Sequence, residues 1–155
     1  MNALKSAIAA FALLSSVPLA RADVIADWNT IALDTVTASG KYRAYEESSV
    51  MAMVNMAMSE TINYNEAKRP SRFLVTPPAP LGASSEAAAA SAAHYILVHL
   101  HPERKASLDA ALQRSLALEP NETKREGGHV MGISLGMTIF AILSSDSGNV
   151  TTALR

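Results

Sequence analysis

"SEAAAASAAHYILVHLHPERKASLDAALQRSLAL", residues 85–118, decides the fold. Six of the seven residues from 87 to 93 are alanine, the side chain that gives up least on entering a helix. Ser84 or Ser85 can cap the first backbone N–H groups, and Glu86 suits the positive first turn. His101-Pro102 ends this helix. Pro102 then fits the first position of another, in which Leu108, Leu112 and Leu116 fall on one line. The stretch therefore reads as two helices joined by a minimal turn, an αα-hairpin.

The regions on either side repeat the helical signal. "DVIADWNTIALDTV", residues 23–36, places Val24, Trp28, Ile31 and Thr35 at helical spacing, with Ile25, Leu33 and Val36 widening the face. Asp23 is available as its cap, and Gly40 marks its exit. "YEESSVMAMVNMAMSETIN", residues 45–63, gives a second helix with Met51, Val54, Met58 and Ile62 on one stripe and Met53, Met56 and Ala57 beside it. Glu46 and Glu47 match the dipole of its first turn. A methionine-rich helix can serve as an adaptable surface, but ordinary core is the commoner use.

Between the second helix and the hairpin, residues 64–84 hold four of the seven prolines (Pro70, Pro77, Pro78 and Pro80), so an extended crossing is expected there. Phe73, Leu74 and Val75 are its candidate packing residues. Beyond the hairpin, Pro120-Asn121 breaks the chain, and Asn121 caps a fifth helix expected to run to about Leu143. In it Gly128, Gly132 and Gly136 recur every four residues, along one helix edge. Each glycine costs roughly 1 kcal/mol against alanine, so three in register imply a helix packed very close. A transmembrane dimer motif is the sharper reading. The apolar run is short and follows the charged "ETKRE", which favours close packing in water.

Composition agrees with an all-α bundle of about five helices: alanine-rich, with aromatics at only 5%. Residues 1–22 read as a signal peptide, with Lys5 in a positive start, a short apolar core, and "ARA" at Ala20–Ala22 as the cleavage exit. Residues 23–146 make one helical domain, and 147–155 an irregular tail. The expected location is exported, periplasmic or secreted, with no membrane contact after cleavage. Removing Lys5 and Arg21 from 13 basic residues leaves 11 against 14 acidic ones, a charge near −3. That balance carries no footprint for nucleic acid. With no cysteine, an exported chain must hold without disulfides.

No active site assembles from the sequence. His94 and His101, two helical turns apart, are a weak metal-ligand pair. No Asp, Glu or Cys stands three or four residues away to complete the set, and His99 points elsewhere. "KREGG" at 124–128 lacks the spacing of a phosphate loop, and no serine sits in a G-x-S-x-G elbow. "NET" at Asn121 and "NVT" at Asn149 fit the glycosylation acceptor pattern, a short motif that often arises by chance.

In order, "ADVIADWNTIALDTV", a Met/Ala helix, "RFLVTPPAPLGASSEAAAASAAHYILVHLHPERKASLDAAL" and "GGHVMGISLGMTIFAIL" resemble the amino-terminal region of bacterial vanadium-dependent haloperoxidases. Those belong to the type 2 phosphatidic acid phosphatase superfamily. The resemblance spans nearly all of residues 23–146. It implies the amino-terminal half of a two-bundle, all-helical fold whose vanadate or phosphate is bound in the other half. The motifs there are Lys-x6-Arg-Pro, Pro-Ser-Gly-His and Ser-Arg-x5-His, whose cations and donors neutralise an oxyanion while histidines bind or relay protons.

None of the three is in this chain. The residue seven before Arg69 of Arg69-Pro70 is Ile62, and six after Arg72 of Ser71-Arg72 stands Pro78. Gly127–His129 lacks the Pro-Ser. No catalytic, cofactor-binding or metal residue is therefore carried over, and vanadate is expected only where a carboxyl-terminal half is present. The reading is the non-catalytic half of a haloperoxidase-like protein, truncated or split, whose partner is a separate catalytic half or a second copy. The alternative is a stand-alone helical binding or scaffold module with no enzymatic activity.

Overall fold

A computed structural model describes residues 20–40, 44–67 and 82–153. Within them the chain forms five α-helices: α1 (Ala20–Ser39), α2 (Ala44–Ala67), α3 (Ser85–Leu100), α4 (Lys105–Leu116) and α5 (Glu122–Ala153). A single 3-10 turn, Pro102–Arg104, links α3 to α4. No strand occurs among the described residues. The all-α bundle expected from composition is the architecture observed.

Helix ends follow local chemistry. The Ser84 hydroxyl accepts the Ala87 N–H at 3.2 Å, and the Asn121 side chain accepts that of Lys124 at 3.0 Å, so two N-terminal donors are satisfied as capping requires. Gly40 closes α1 at φ +57°, a left-handed exit that suits glycine. Pro102 opens a 3-10 turn before α4 begins at Lys105, rather than the first α-turn itself.

The helix α3 is the axis of the bundle. Every residue from Ala87 to Ala93 is buried, as are Ile96 and Leu97, so this helix is enclosed on all sides along its first turns. Alanine permits this because its methyl holds neighbouring backbones near. Onto α3 pack Val24, Trp28, Ala32 and Val36 of α1, Val50, Val54, Ala57 and Met58 of α2, and Leu108, Leu112 and Leu116 of α4. Leu135 and Met131 of α5 join Tyr64 and Ala88 in an adjoining cluster.

The closest approach is the one marked by the glycines. A Cβ on Gly128 would lie 2.3 Å from the Ser84 carbonyl oxygen, and one on Gly132 would lie 2.2 Å from that of Ala88. At Gly136 the nearest atom, the Ala92 oxygen, would be 3.1 Å away. The tight contact thus lies inside the bundle, against α3. There it offsets the helix-propensity cost of the three residues.

Several boundaries and faces differ from the sequence reading. α2 runs four residues past Asn63, because Tyr64 is buried and its packing against α5 extends the helix. α5 continues to Ala153 instead of stopping near Leu143, so 147–153 of the expected irregular tail is helical. No proline lies beyond Leu143, and Ser, Asp and Asn cost a helix only tenths of a kcal/mol each. Leu33, assigned to the core face of α1, is 51% exposed, while Ala32 takes the buried position. On α2 the buried line is Val50, Val54, Ala57, Met58 and Thr61, with Met51, Met53, Met56 and Ile62 on its flanks. Phe73, Leu74 and Val75, and residues 1–19 of the expected signal peptide, lie outside the described residues.

Candidate functional site

The polar groups of the interior converge on one face of α3. His94 projects toward α4, where its Nε2 meets Asp109 Oδ1 at 2.8 Å. The other Asp109 oxygen accepts from Lys105 Nζ at 2.5 Å. A carboxylate only accepts, so Nε2 of His94 carries the proton. The Trp28 ring, from α1, stands perpendicular to the His94 ring, at 6.3 Å between centroids and 89° between planes. Trp28 is fully buried, and its indole N–H donates to the Ser115 hydroxyl of α4 at 3.0 Å. Through these two residues α1, α3 and α4 share one polar junction.

One turn earlier on α3, the buried Ser91 joins α5. Its hydroxyl oxygen lies 2.7 Å from the Ala87 carbonyl, to which it donates, and 2.8 Å from His129 Nδ1, with which it shares a second hydrogen bond. His94 and His129 thus flank the same stretch of α3, one reaching α4 and the other arriving from α5.

Burial dominates the electrostatics of His94. Desolvation pushes its pKa below 6.5 against the raising pull of Asp109, while Lys105 and His129 push it down further. The ring is therefore neutral at neutral pH. Asp109 is held below the usual carboxylate range first by the Lys105 hydrogen bond and then by that of His94.

His101 does not share a ligand set with His94. It caps the carboxyl end of α3, is fully buried, and has Nδ1 3.4 Å from Glu103 Oε1. His99 stacks on Tyr95 at 4.0 Å, with Phe140 of α5 at 5.4 Å. Among the described residues no three His, Asp or Glu side chains are grouped to hold a metal ion. Asn121 is exposed and serves as a cap. A neighbouring cleft of about 210 Å³ is lined by Val24, Ser84, Glu86, Ser115, Leu118 and Glu119. Glu86 there accepts from Ser84, and Glu119 accepts from the Asn121 N–H.

The sequence reading missed the His94–Asp109 pair because it looked for partners only along one helix. The hairpin held the signal. His94 lies seven residues before His101 and Asp109 seven after Pro102, so antiparallel pairing about that turn brings them level.

The second notable surface is on α5. From Gly127 to Ser145 this helix has no Asp, Glu, Lys or Arg. Val130 is 55% exposed and Met137 49%, with Ala141 also exposed on the same face and Ile133 half-buried between them. The outward faces of the other helices are more polar. α1 offers Asp27, Thr30 and Asp34 to water beside the exposed Leu33; α2 offers the uncharged Ser48, Asn55, Ser59 and Asn63; α4 offers Lys105, Gln113 and Arg114. Glu122–Ser145 is long and apolar enough to cross a membrane by length and composition, with 33% of its most apolar window buried. Its glycine edge, however, is occupied by α3.

No family model matches this chain, and no curated protein or solved structure matches it significantly.

Proposed function

We propose that this chain is an exported, non-catalytic helical half of a vanadium-dependent haloperoxidase-like protein, and that it forms one wall against which a separate catalytic bundle packs. The observation that supports this reading is the uncharged outward stripe of α5, where Val130 and Met137 are about half exposed. A helix whose outer face stays in water normally carries charge there. A contiguous apolar stripe instead marks a contact surface. The family part of this reading rests on the resemblance in the order of sequence blocks across residues 23–146.

The chemistry of the assembled protein is then peroxide-driven halide oxidation at vanadate, or phosphoester hydrolysis in the same kind of pocket. Its oxyanion ligands come from the other half. The residues at the His94–Asp109 and Ser91–His129 contacts hold helices together rather than gather around an open pocket. By itself, residues 23–155 should show no turnover with vanadate and peroxide or with a phosphoester. Turnover that survives purification and disappears on changing His94 or His129 would overturn this assignment.

The same stripe also fits the alternative, a stand-alone helical binding or scaffold module. Reading the DNA immediately downstream and co-expressing what it encodes separates the two. A following frame with the Lys/Arg, Pro-Ser-Gly-His and Ser-Arg/His motifs, whose product forms a complex broken by Met137→Lys, supports the split protein. A complex indifferent to Met137→Lys, or no such frame, favours the independent module.

A further inference from the structure

The exposed stripe of α5 has a spacing as well as a composition. Glu126, Val130, Ile133, Met137, Phe140 and Ser144 alternate steps of four and three residues, the seam of a heptad repeat. Glu126, Val130, Met137 and Ser144 are exposed, and Ile133 and Phe140 are half-buried. A seam of this kind accepts another helix along its length, inclined by about 20° to its own axis. On one side it is widened by Tyr95 and His99 of α3, which stand against Phe140. It is charged at one end only: Glu126 opens it, and no Asp, Glu, Lys or Arg follows from Gly127 to Ser145.

We propose that the occupant of this seam in the isolated chain is α5 of a second copy, running antiparallel about a two-fold axis at the level of Leu135. Val130 of each copy then lies opposite Phe140 of the other, Ile133 opposite Met137, and Glu126 opposite Ser144. A two-fold contact is self-complementary, so each of these pairs occurs twice. This pairing rests on the reading of the stripe as a contact surface, not on the family. A separate catalytic bundle would have to displace the second copy.

Charge selects the orientation. In a parallel pair, Glu126 would face Glu126 in one layer, and like charges brought together oppose association. In the antiparallel pair each carboxylate meets the Ser144 position, and the two carboxylates stand at opposite ends of the contact. Register follows from the same residues. Sliding one copy by a heptad sets either Glu126 against Met137 or Ser144 against Ile133, so a polar group enters an apolar layer, which is costly. The stated register places Val130, Ile133, Met137 and Phe140 of both copies in the contact and keeps the polar positions at its ends.

The chain has no cysteine, so introduced thiols report the pairing without background. Ile133→Cys and Met137→Cys are made in separate chains, mixed, and treated with oxidised glutathione. A disulfide needs Cα atoms within about 7 Å, which only residues in facing layers reach. We expect the mixture to give a cross-linked dimer joining one chain of each kind, and either variant alone to stay unlinked. Glu126→Cys mixed with Ser144→Cys should behave likewise, and both positions are exposed, so the fold does not depend on them. Self-linking of Met137→Cys as strong as in the mixture would mean a parallel pair and would overturn the arrangement. A dimer in sedimentation that cross-links in neither mixture overturns the pairing and leaves the stripe standing as a contact surface. A monomer that co-sediments with phosphatidylglycerol vesicles overturns it in favour of a lipid surface. A monomer that binds no vesicle removes the stripe as a contact surface as well.

Discussion

Gly132 of α5 crosses Ala88 of α3 so closely that a Cβ on residue 132 would stand 2.2 Å from the Ala88 carbonyl oxygen. The atom in the way is backbone in the buried first turn of α3, so it cannot swing aside as a flexible side chain would.

Gly132→Ala should therefore destabilise the chain, although alanine is intrinsically better in a helix by about 1 kcal/mol. Overpacking a close contact costs about 1–3 kcal/mol, and here the net loss should sit within that range. Gly132→Leu should be worse still. Gly40→Ala is the contrasting case: nothing lies within 4 Å of its Cβ, but φ is +57°. It should lose about 1–2 kcal/mol from left-handed strain alone. Urea unfolding of the three variants checks this, and a Gly132→Ala chain as stable as the original would mean that α5 stands off from α3.

The glycine contact also shows what the sequence could and could not disclose. A period of four placed Gly128, Gly132 and Gly136 on one edge, and close packing followed from their cost. Which helix they met did not follow, because period specifies a face and not a neighbour. Capping residues such as Ser84 and Asn121 were readable for the opposite reason, since their partners lie within three residues. The faces of α1 and α2 were read less well. Large apolar side chains dominate the pattern there, while the interior also has room for Ala32 and Thr61, beside the expected Ala57. Thr61 is admitted because its hydroxyl bonds to the Ala57 carbonyl at 2.6 Å. The His94–Asp109 pair depended on tertiary register, which only the hairpin arithmetic hinted at.

The Trp28–Ser115 hydrogen bond ties α1 to α4 and should show energetic coupling. Ser115→Ala leaves the buried indole N–H without its acceptor, which costs about 1–3 kcal/mol. Trp28→Phe keeps most of the packing and removes the donor. Made together, the two changes should cost less than the sum of the single losses. A double-mutant cycle by chemical denaturation reads that difference, and strict additivity would show that the bond contributes nothing.

Asp109 should govern acid stability below the histidine range. Its carboxyl is held below the ordinary carboxylate range, chiefly by Lys105 and then by His94. A depressed acid stabilises the fold above its unfolded pKa, and the contribution is lost as pH falls through the lowered folded value. Asp109→Asn should therefore flatten the decline in melting temperature below about pH 4. It should also move the protonation step of His94, followed by emission of the adjacent Trp28, to lower pH, because the attraction that raises it is gone. An unchanged His94 step in Asp109→Asn would mean that the pair seen at 2.8 Å is not maintained in solution.

The stripe on α5 leads to a prediction about the isolated chain. Val130 and Met137 are two helical turns apart and about half exposed, and no charged residue lies between them. Surfaces of this kind seldom remain uncovered once they extend over a few hundred Å². Residues 23–155 should therefore self-associate at moderate concentration when no other bundle is present. Lysine at both positions tests this cleanly. It removes the apolar cover, and its helix propensity exceeds that of valine and about equals that of methionine, so the fold itself should be unharmed. Sedimentation velocity should show the unaltered chain as dimer or larger and Val130→Lys/Met137→Lys as monomer, with melting temperatures that differ little. A monomeric unaltered chain, at concentrations where ordinary contact surfaces pair, would remove the stripe as a contact surface and with it the main structural support for a half-protein.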